Sequence, residues 1–233
     1  VFPEYTYSHD LEPIYRNYSN ENSTVIIGGS GLETIGNEFY AYCPIFLPNQ
    51  EIIKVYKKHI TNDERILSQG QIIAFPNEVP REIRLIVGEN EILFSVYVCY
   101  DFIIEAKNDR ADIVFVPQYE SSPQQFINEG DKVSKGMKNF VIGANNSNNN
   151  QRSLGFAILN STMINGLSMQ SYRNQNYENA GQKLDQHHTT IYDVLGERIM
   201  VFRLNIGRPY SLPFTFSLDD SEPVLIPIKN ITI

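Results

Sequence analysis

Phe94-Ser95-Val96-Tyr97-Val98-Cys99-Tyr100-Asp101 is the stretch that decides how this chain is read. Apolar, mostly β-favouring residues run from Ile92 to Val98 and stop at Cys99, so the segment reads as a buried strand that ends on a thiol. A cysteine at the C-terminal end of a strand is well placed for nucleophilic work. The strand fixes the backbone, and the turn that follows can aim peptide N–H groups at a developing oxyanion. A lone cysteine is more often a plain core thiol, so the assignment depends on what surrounds it.

Downstream, 102–108 reads as a helix and Ala111-Asp112-Ile113-Val114-Phe115-Val116-Pro117 as a second buried strand. Strand, cysteine, helix, strand is a βαβ unit, which implies parallel pairing. Upstream, 84–87 and 92–98 flank Gly88-Glu89-Asn90 and read as a hairpin. Further out, 122–138 fits a helix with Pro123 near its first turn, and 139–145 the next strand. Strands are expected at 154–159, 166–172, 189–194 and 197–204, with 173–185 as a polar loop. The tail, with Pro209, Pro213, Pro223 and Pro227, reads as an extended arm. The chain thus divides into an α/β domain over 1–204 and an arm over 205–233.

Toward the N-terminus, a weak helical period runs over 9–18. A strand from Thr24 enters the glycine-rich turn Gly28-Gly29-Ser30-Gly31, which lacks the lysine of a phosphate-binding loop and the spacing of a dinucleotide fingerprint. Strands at 38–47 and 51–58 form a hairpin around Pro48-Asn49-Gln50, and a short strand is expected at 72–75.

Composition sets limits on function. Hydrophobic residues make 42% of the 233 and charged ones 20%, which suits a globular domain large enough for one core. A net charge of −8 argues against a nucleic-acid-binding face, and no apolar run is long enough to span a bilayer. Cys43 and Cys99 make no disulfide framework and stand at no metal-ligand spacing, so a reducing cytoplasm is expected and no metal. His187-His188 has no carboxylate at ligand spacing and reads as structural. Val1-Phe2 reads as the end of a strand already under way, so the chain is expected to be part of a longer protein.

Three strand ends now stand in order: Phe2-Pro3-Glu4, Tyr56-Lys57-Lys58 and Val98-Cys99-Tyr100-Asp101. Together they resemble the nitrilase, or carbon–nitrogen hydrolase, superfamily, whose triad is glutamate, lysine and cysteine in that order. Val25 to Ser30, Glu64-Arg65 with Gly70, the strand at 111–117, the strand ending at Asn145, and Gly155 are similar to the family's surroundings of those motifs. The likeness extends over about residues 1–204.

The resemblance implies a four-layer α-β-β-α sandwich whose first strand and helix lie ahead of Val1, a piece of roughly 30 residues. It implies Cys99 as nucleophile, Glu4 as general base and Lys58 as the cation beside the tetrahedral intermediate. Glu64 is implied as a second carboxylate that positions substrate, and the Tyr100 backbone N–H as an oxyanion donor. No cofactor is needed. The expected activity is hydrolysis of a non-peptide C–N bond in a small amide, carbamoyl compound or nitrile, by a homo-oligomer. The competing reading is a non-catalytic or regulatory module of a longer chain, for which C-terminal fusion to a bacterial defence reverse transcriptase is one setting. Two departures from the family bear on substrate type: the histidine-leucine after the lysine is His59-Ile60, shifted by one, and the proline-acid pair after the cysteine is absent from Phe102-Ile103-Ile104-Glu105.

Overall fold

The computed structural model describes residues 1–87, 90–120, 124–137, 140–145, 153–160, 180–184, 189–195, 198–201 and 224–227. The chain runs through a short 3-10 turn (His9–Leu11), α1 (Glu12–Asn22), β1 (Ile26–Ile27), β2 (Gly31–Ile35), β3 (Glu38–Phe46), β4 (Ile53–Tyr56) and α2 (Asn62–Leu67). It continues through β5 (Glu82–Val87), β6 (Asn90–Val96), α3 (Tyr100–Glu105), a 3-10 turn (Ala106–Asn108), β7 (Ile113–Gln118), α4 (Gln124–Met137) and β8 (Phe140–Asn145). The later strands are β9 (Ser153–Asn160), β10 (Ala180–Leu184), β11 (Thr189–Leu195), β12 (Arg198–Val201) and β13 (Val224–Pro227).

Two sheets carry the site. In the first, β3 is central, with β1 and β2 on it and β4 pairing it antiparallel from Tyr42↔Tyr56 to Ile45↔Ile53. The second has the order β10-β11-β9-β8-β7-β6-β5. The strand–Cys–helix–strand stretch pairs parallel as expected, β6 with β7, and β7 also pairs parallel with β8. The strands on either side of this parallel centre are antiparallel. Ile27, Cys43, Ile45 and Val55 from the first sheet bury in one apolar cluster with Phe94, Val96, Val114, Val116 and Val141 from the second. Each such fully buried aliphatic side chain contributes roughly 1.5–3 kcal/mol. In α4, Phe126, Ile127 and Val133 recur at helical spacing and reach the same cluster. None of the described helices is long and apolar enough to cross a membrane.

Several local expectations shift. The helix expected over 9–18 begins as a 3-10 turn and runs on to Asn22, ending where Ser23 takes a left-handed φ of 48°. The segment at 72–75 makes a single bridge, Phe39↔Ile72, in place of a strand. Part of the expected loop at 173–185 is strand β10, and part of the expected arm is β13, which pairs with β12. The strand expected at 166–172 and His187-His188 lie outside the described residues.

The glycine-rich turn has a structural task. It seats the loop that carries Glu4. Phe2 N–H donates to Ile27 C=O at 3.0 Å, Tyr5 N–H to Ser30 Oγ at 3.0 Å and Tyr7 N–H to Ser30 C=O at 3.2 Å. Gly29 has φ +76°, and a Cβ there would stand 2.2 Å from Pro3 C=O and 2.3 Å from Thr6 Oγ1. Gly36 has φ +65° with open space around it. Gly36→Ala should therefore cost only the left-handed backbone penalty, about 1–2 kcal/mol. Gly29→Ala adds backbone overpacking and should cost about 2 kcal/mol more. Urea denaturation of the two variants checks this, and equal losses would show that the Glu4 loop is not seated on Gly29.

Candidate active site

The site forms where the N-terminal loop, the chain just after β4 and β6, and one short helix meet; residues 1–3 form no strand, so Glu4 stands on a loop and not at the expected strand end. Pro3 ends the extended start of the chain, and Glu4 follows on a loop whose next residue, Tyr5, takes a left-handed φ of 58°. Glu4 N–H reaches Gln118 C=O at the end of β7 at 3.3 Å. The loop is thereby stitched to the second sheet beside the cysteine, and the Glu4 side chain is 1% exposed.

The lysine that meets Glu4 is Lys57, not the expected Lys58. Lys57 Nζ lies 2.8 Å from Glu4 Oε1 and 2.5 Å from Glu64 Oε1, with its side chain wholly buried. The reason is strand parity. Val55 points into the core, so position 57, two residues on, takes the same side, and Lys58 falls on the other. Lys58 is half-buried, and its backbone N–H donates to the Asp101 carboxylate. The one-residue shift of His59-Ile60 against the family pattern was the signal in the sequence that pointed to Lys57.

Glu64 is brought in by helix α2. Thr61-Asn62-Asp63-Glu64 is a capping box: the Thr61 hydroxyl accepts from Glu64 N–H at 3.2 Å, and Glu64 Oε2 accepts from Thr61 N–H at 2.8 Å. That leaves Oε1 to accept from Lys57 Nζ and from the Tyr5 hydroxyl. One carboxylate thus caps its own helix and completes the pair around the lysine. Tyr5 was not singled out in the sequence, where only its place after Glu4 marked it.

Cys99 sits on a sharp turn between β6 and α3, with φ 49° and ψ −116°. This conformation is sparsely populated for any residue with a side chain and typically costs on the order of 1–3 kcal/mol. It is held by Cys99 N–H on Pro117 C=O at 2.8 Å, Asp101 N–H on Val98 C=O at 3.2 Å and Phe102 N–H on Cys99 C=O at 3.0 Å. A strained strand-to-helix turn is the geometry that lifts a nucleophile out of a sheet. Tyr100 is the first residue of α3, directly after the thiol.

The electrostatics tie these groups into one unit. The charges of Glu4 and Lys57 both act on the Cys99 thiol, and the Tyr119 backbone favours its ionised form. Burial, and then the charge of Glu4, push the thiol well above its ordinary range, so at rest it keeps its proton. Burial also raises Glu4, against the pull of the Lys57 ammonium. For Lys57, burial favours the neutral form, but the carboxylates of Glu4 and Glu64 overcome it and hold the ammonium charged. Burial pushes Glu64 up, and Lys57 with three hydrogen bonds brings it below the usual carboxylate range.

His59, Asp101 and Glu105 place ligand atoms within 4.8 Å of one another. Arg81 already fills that space: its guanidinium bonds Asp101 at 2.7 Å and Glu105 at 2.9 Å. The cluster is an ion-pair network around an arginine, and a divalent cation there would face that charge.

The described fold is similar to solved structures of CN-hydrolase superfamily proteins. A CN-hydrolase superfamily protein of Xanthomonas campestris matches at 12% identity and a TM-score of 0.47, over 62% of this chain and 61% of that one. An amidase from Nesterenkonia sp. matches at 12% identity and 0.47, over 80% of this chain and 66% of that one. A glutamine-dependent NAD(+) synthetase from Cytophaga hutchinsonii matches at 10% identity and 0.40, over 65% of this chain and 29% of that one. This chain therefore spans less than two thirds of the length of the first of them. No protein-family model matches the sequence, and no curated protein does.

The two adjacent lysines provide an internal comparison. Lys57→Met leaves Glu4 buried without its cation and should cost about 3–5 kcal/mol. Lys58→Met should cost within about 0.5 kcal/mol, because its backbone N–H is kept. Thermal unfolding of both variants checks the assignment, and a larger loss at Lys58 would overturn it.

Proposed function

We propose that this chain is a hydrolase of non-peptide C–N bonds, with a small carboxamide as its substrate class. The observation that carries the reading is a wholly buried ammonium, Lys57, held between Glu4 and Glu64, with the charges of Glu4 and Lys57 bearing on a buried thiol on a strained turn. A lysine, two carboxylates and a thiol converging in a dry site are expensive to bury for stability alone and suit acyl transfer.

The resting thiol is protonated, so its proton has to leave as the sulfur attacks. Glu4 accepts that proton while Sγ bonds to the substrate carbonyl carbon. The carbonyl π electrons move to oxygen, and the oxyanion faces the Lys57 ammonium and the Tyr100 N–H. The oxyanion collapses, the C–N bond breaks, and the leaving nitrogen takes the proton from Glu4. The thioester on Cys99 is then attacked by water, whose proton goes to Glu4. Collapse of this second tetrahedral species releases the carboxylic acid, and the sulfur recovers its proton from Glu4. Cys99 and Glu4 end in their starting protonation states, the thiol proton having left with the amine and been replaced from water, and the net reaction is amide plus water to acid plus amine. Glu64 keeps Lys57 in place and, with Tyr5, lines the approach to it.

The reading extends to a homo-oligomer within a longer parent chain, folded as a four-layer sandwich. Two free buried thiols fit a reducing cytoplasm.

Ammonia release from a panel of small amides, followed with the full-length protein, tests the reading. Cys99→Ala should lower the rate by at least about 10³-fold with the fold intact. The acid limb of the pH profile should lie above the ordinary carboxylate range. Glu4 works ionised, burial raises it, and the rate is lost as pH falls through that raised value. Release that persists in Cys99→Ala would end the proposal.

A further inference from the structure

The nucleophile and the lysine come from different sheets, and one residue joins their backbones. Asp101, two residues after Cys99 and fully buried, receives the chain directly after Lys57. Its carboxylate accepts from Lys58 N–H at 3.0 Å and from His59 N–H at 2.7 Å. Two successive amides turned toward one anion form a small receptor for negative charge. Arg81 closes the unit from the other side. It donates to Asp101 at 2.7 Å, to Glu105 at 2.9 Å and to Tyr56 C=O at 3.2 Å, and its guanidinium lies over the Tyr97 ring.

The residues on both sides of Lys57 are therefore gripped by groups that belong to the Cys99 side: Tyr56 by Arg81, Lys58 and His59 by Asp101. Lys57 itself is fixed by its N–H on Ala41 C=O at 2.9 Å and its C=O on Phe75 N–H at 3.1 Å. Asp101 also belongs to the turn that strains Cys99, through its N–H on Val98 C=O. Burial raises the Asp101 carboxyl, and Arg81 with the two amides offsets only part of that.

We propose that Asp101, held by Arg81, is a positioning residue that sets where the Lys57 ammonium stands relative to the Cys99 sulfur. It touches neither substrate nor sulfur and acts through Lys57. This rests on the reading of Lys57 and Cys99 as working partners, and the experiment separates the two. Asp101→Asn is nearly isosteric but turns an amide N–H₂ toward donors, so the clamp opens without a cavity.

The rate of Cys99 alkylation by iodoacetamide is measured against pH by mass spectrometry in the full-length protein, with buried Cys43 as reference. Wild type, Lys57→Met, Asp101→Asn and the double variant are compared, each checked for fold by circular dichroism. Asp101→Asn should slow labelling on the order of 10- to 100-fold and give the pH profile of Lys57→Met. The double variant should be no slower than Lys57→Met alone, because the aspartate acts through the lysine. Folded Asp101→Asn with wild-type labelling, or losses that multiply in the double variant, would overturn the clamp. Wild-type labelling in Lys57→Met would instead bring down the Lys57–Cys99 partnership, and the clamp with it. Should Asp101→Asn fail to fold, Arg81→Lys keeps the charge, removes the fork and carries the same expectations.

Discussion

The fold is organised around one buried positive charge. An ammonium taken out of water costs several kcal/mol unless partners surround it, and Lys57 is wholly buried. Two carboxylates meet it, and each comes from a different part of the chain. Glu4 comes from a loop seated on the Gly28–Gly31 turn, and Glu64 from a helix that begins with its own capping box. Neither partner can be displaced without leaving a buried charge unmatched, so the lysine fixes the approach of the N-terminal loop, β4 and α2 to one another. The cysteine turn closes the fourth side: Cys99 N–H is held by Pro117 C=O, and the next residue, Gln118, takes the Glu4 N–H.

The same constraint shapes the chemistry. With Lys57 charged and Glu4 and Glu64 beside it, a thiolate at rest would add a third negative group in a dry site. In the proposed reaction the thiol stays protonated until substrate arrives, and a neighbouring carboxylate that can take its proton matters more than a depressed thiol pKa. Burial raises both Glu4 and Cys99. In the proposed reaction the oxyanion is the group best matched to the ammonium.

Much of this was legible in the chain, and the exceptions have physical causes. Cys99 stood out because an apolar run stops on it, and the parallel β6–β7 pairing followed from the strand–helix–strand order. Glu4 was marked by Pro3, which ends an extended segment. The lysine was misplaced by one because two lysines sit at the strand end. Composition does not separate them; side-chain alternation from Val55 does. Strand β2 was hidden because Gly31 opens it and the glycines before it read as a turn. The Asp101–Arg81 clamp was not legible at all, since Arg81 lies 20 residues from Asp101 in a segment with no motif and meets it only through the packing of β5 beside β6.

The most direct test of the account is to look for the bond it requires. The full-length protein is mixed with a small amide that it turns over, quenched in acid within the first turnovers, and digested for mass spectrometry. The account predicts the acyl group of that amide on the Cys99 peptide, removable by hydroxylamine as a thioester is. It predicts no acyl group on Cys43. Turnover of the amide with Cys99 unmodified at every time point would contradict it.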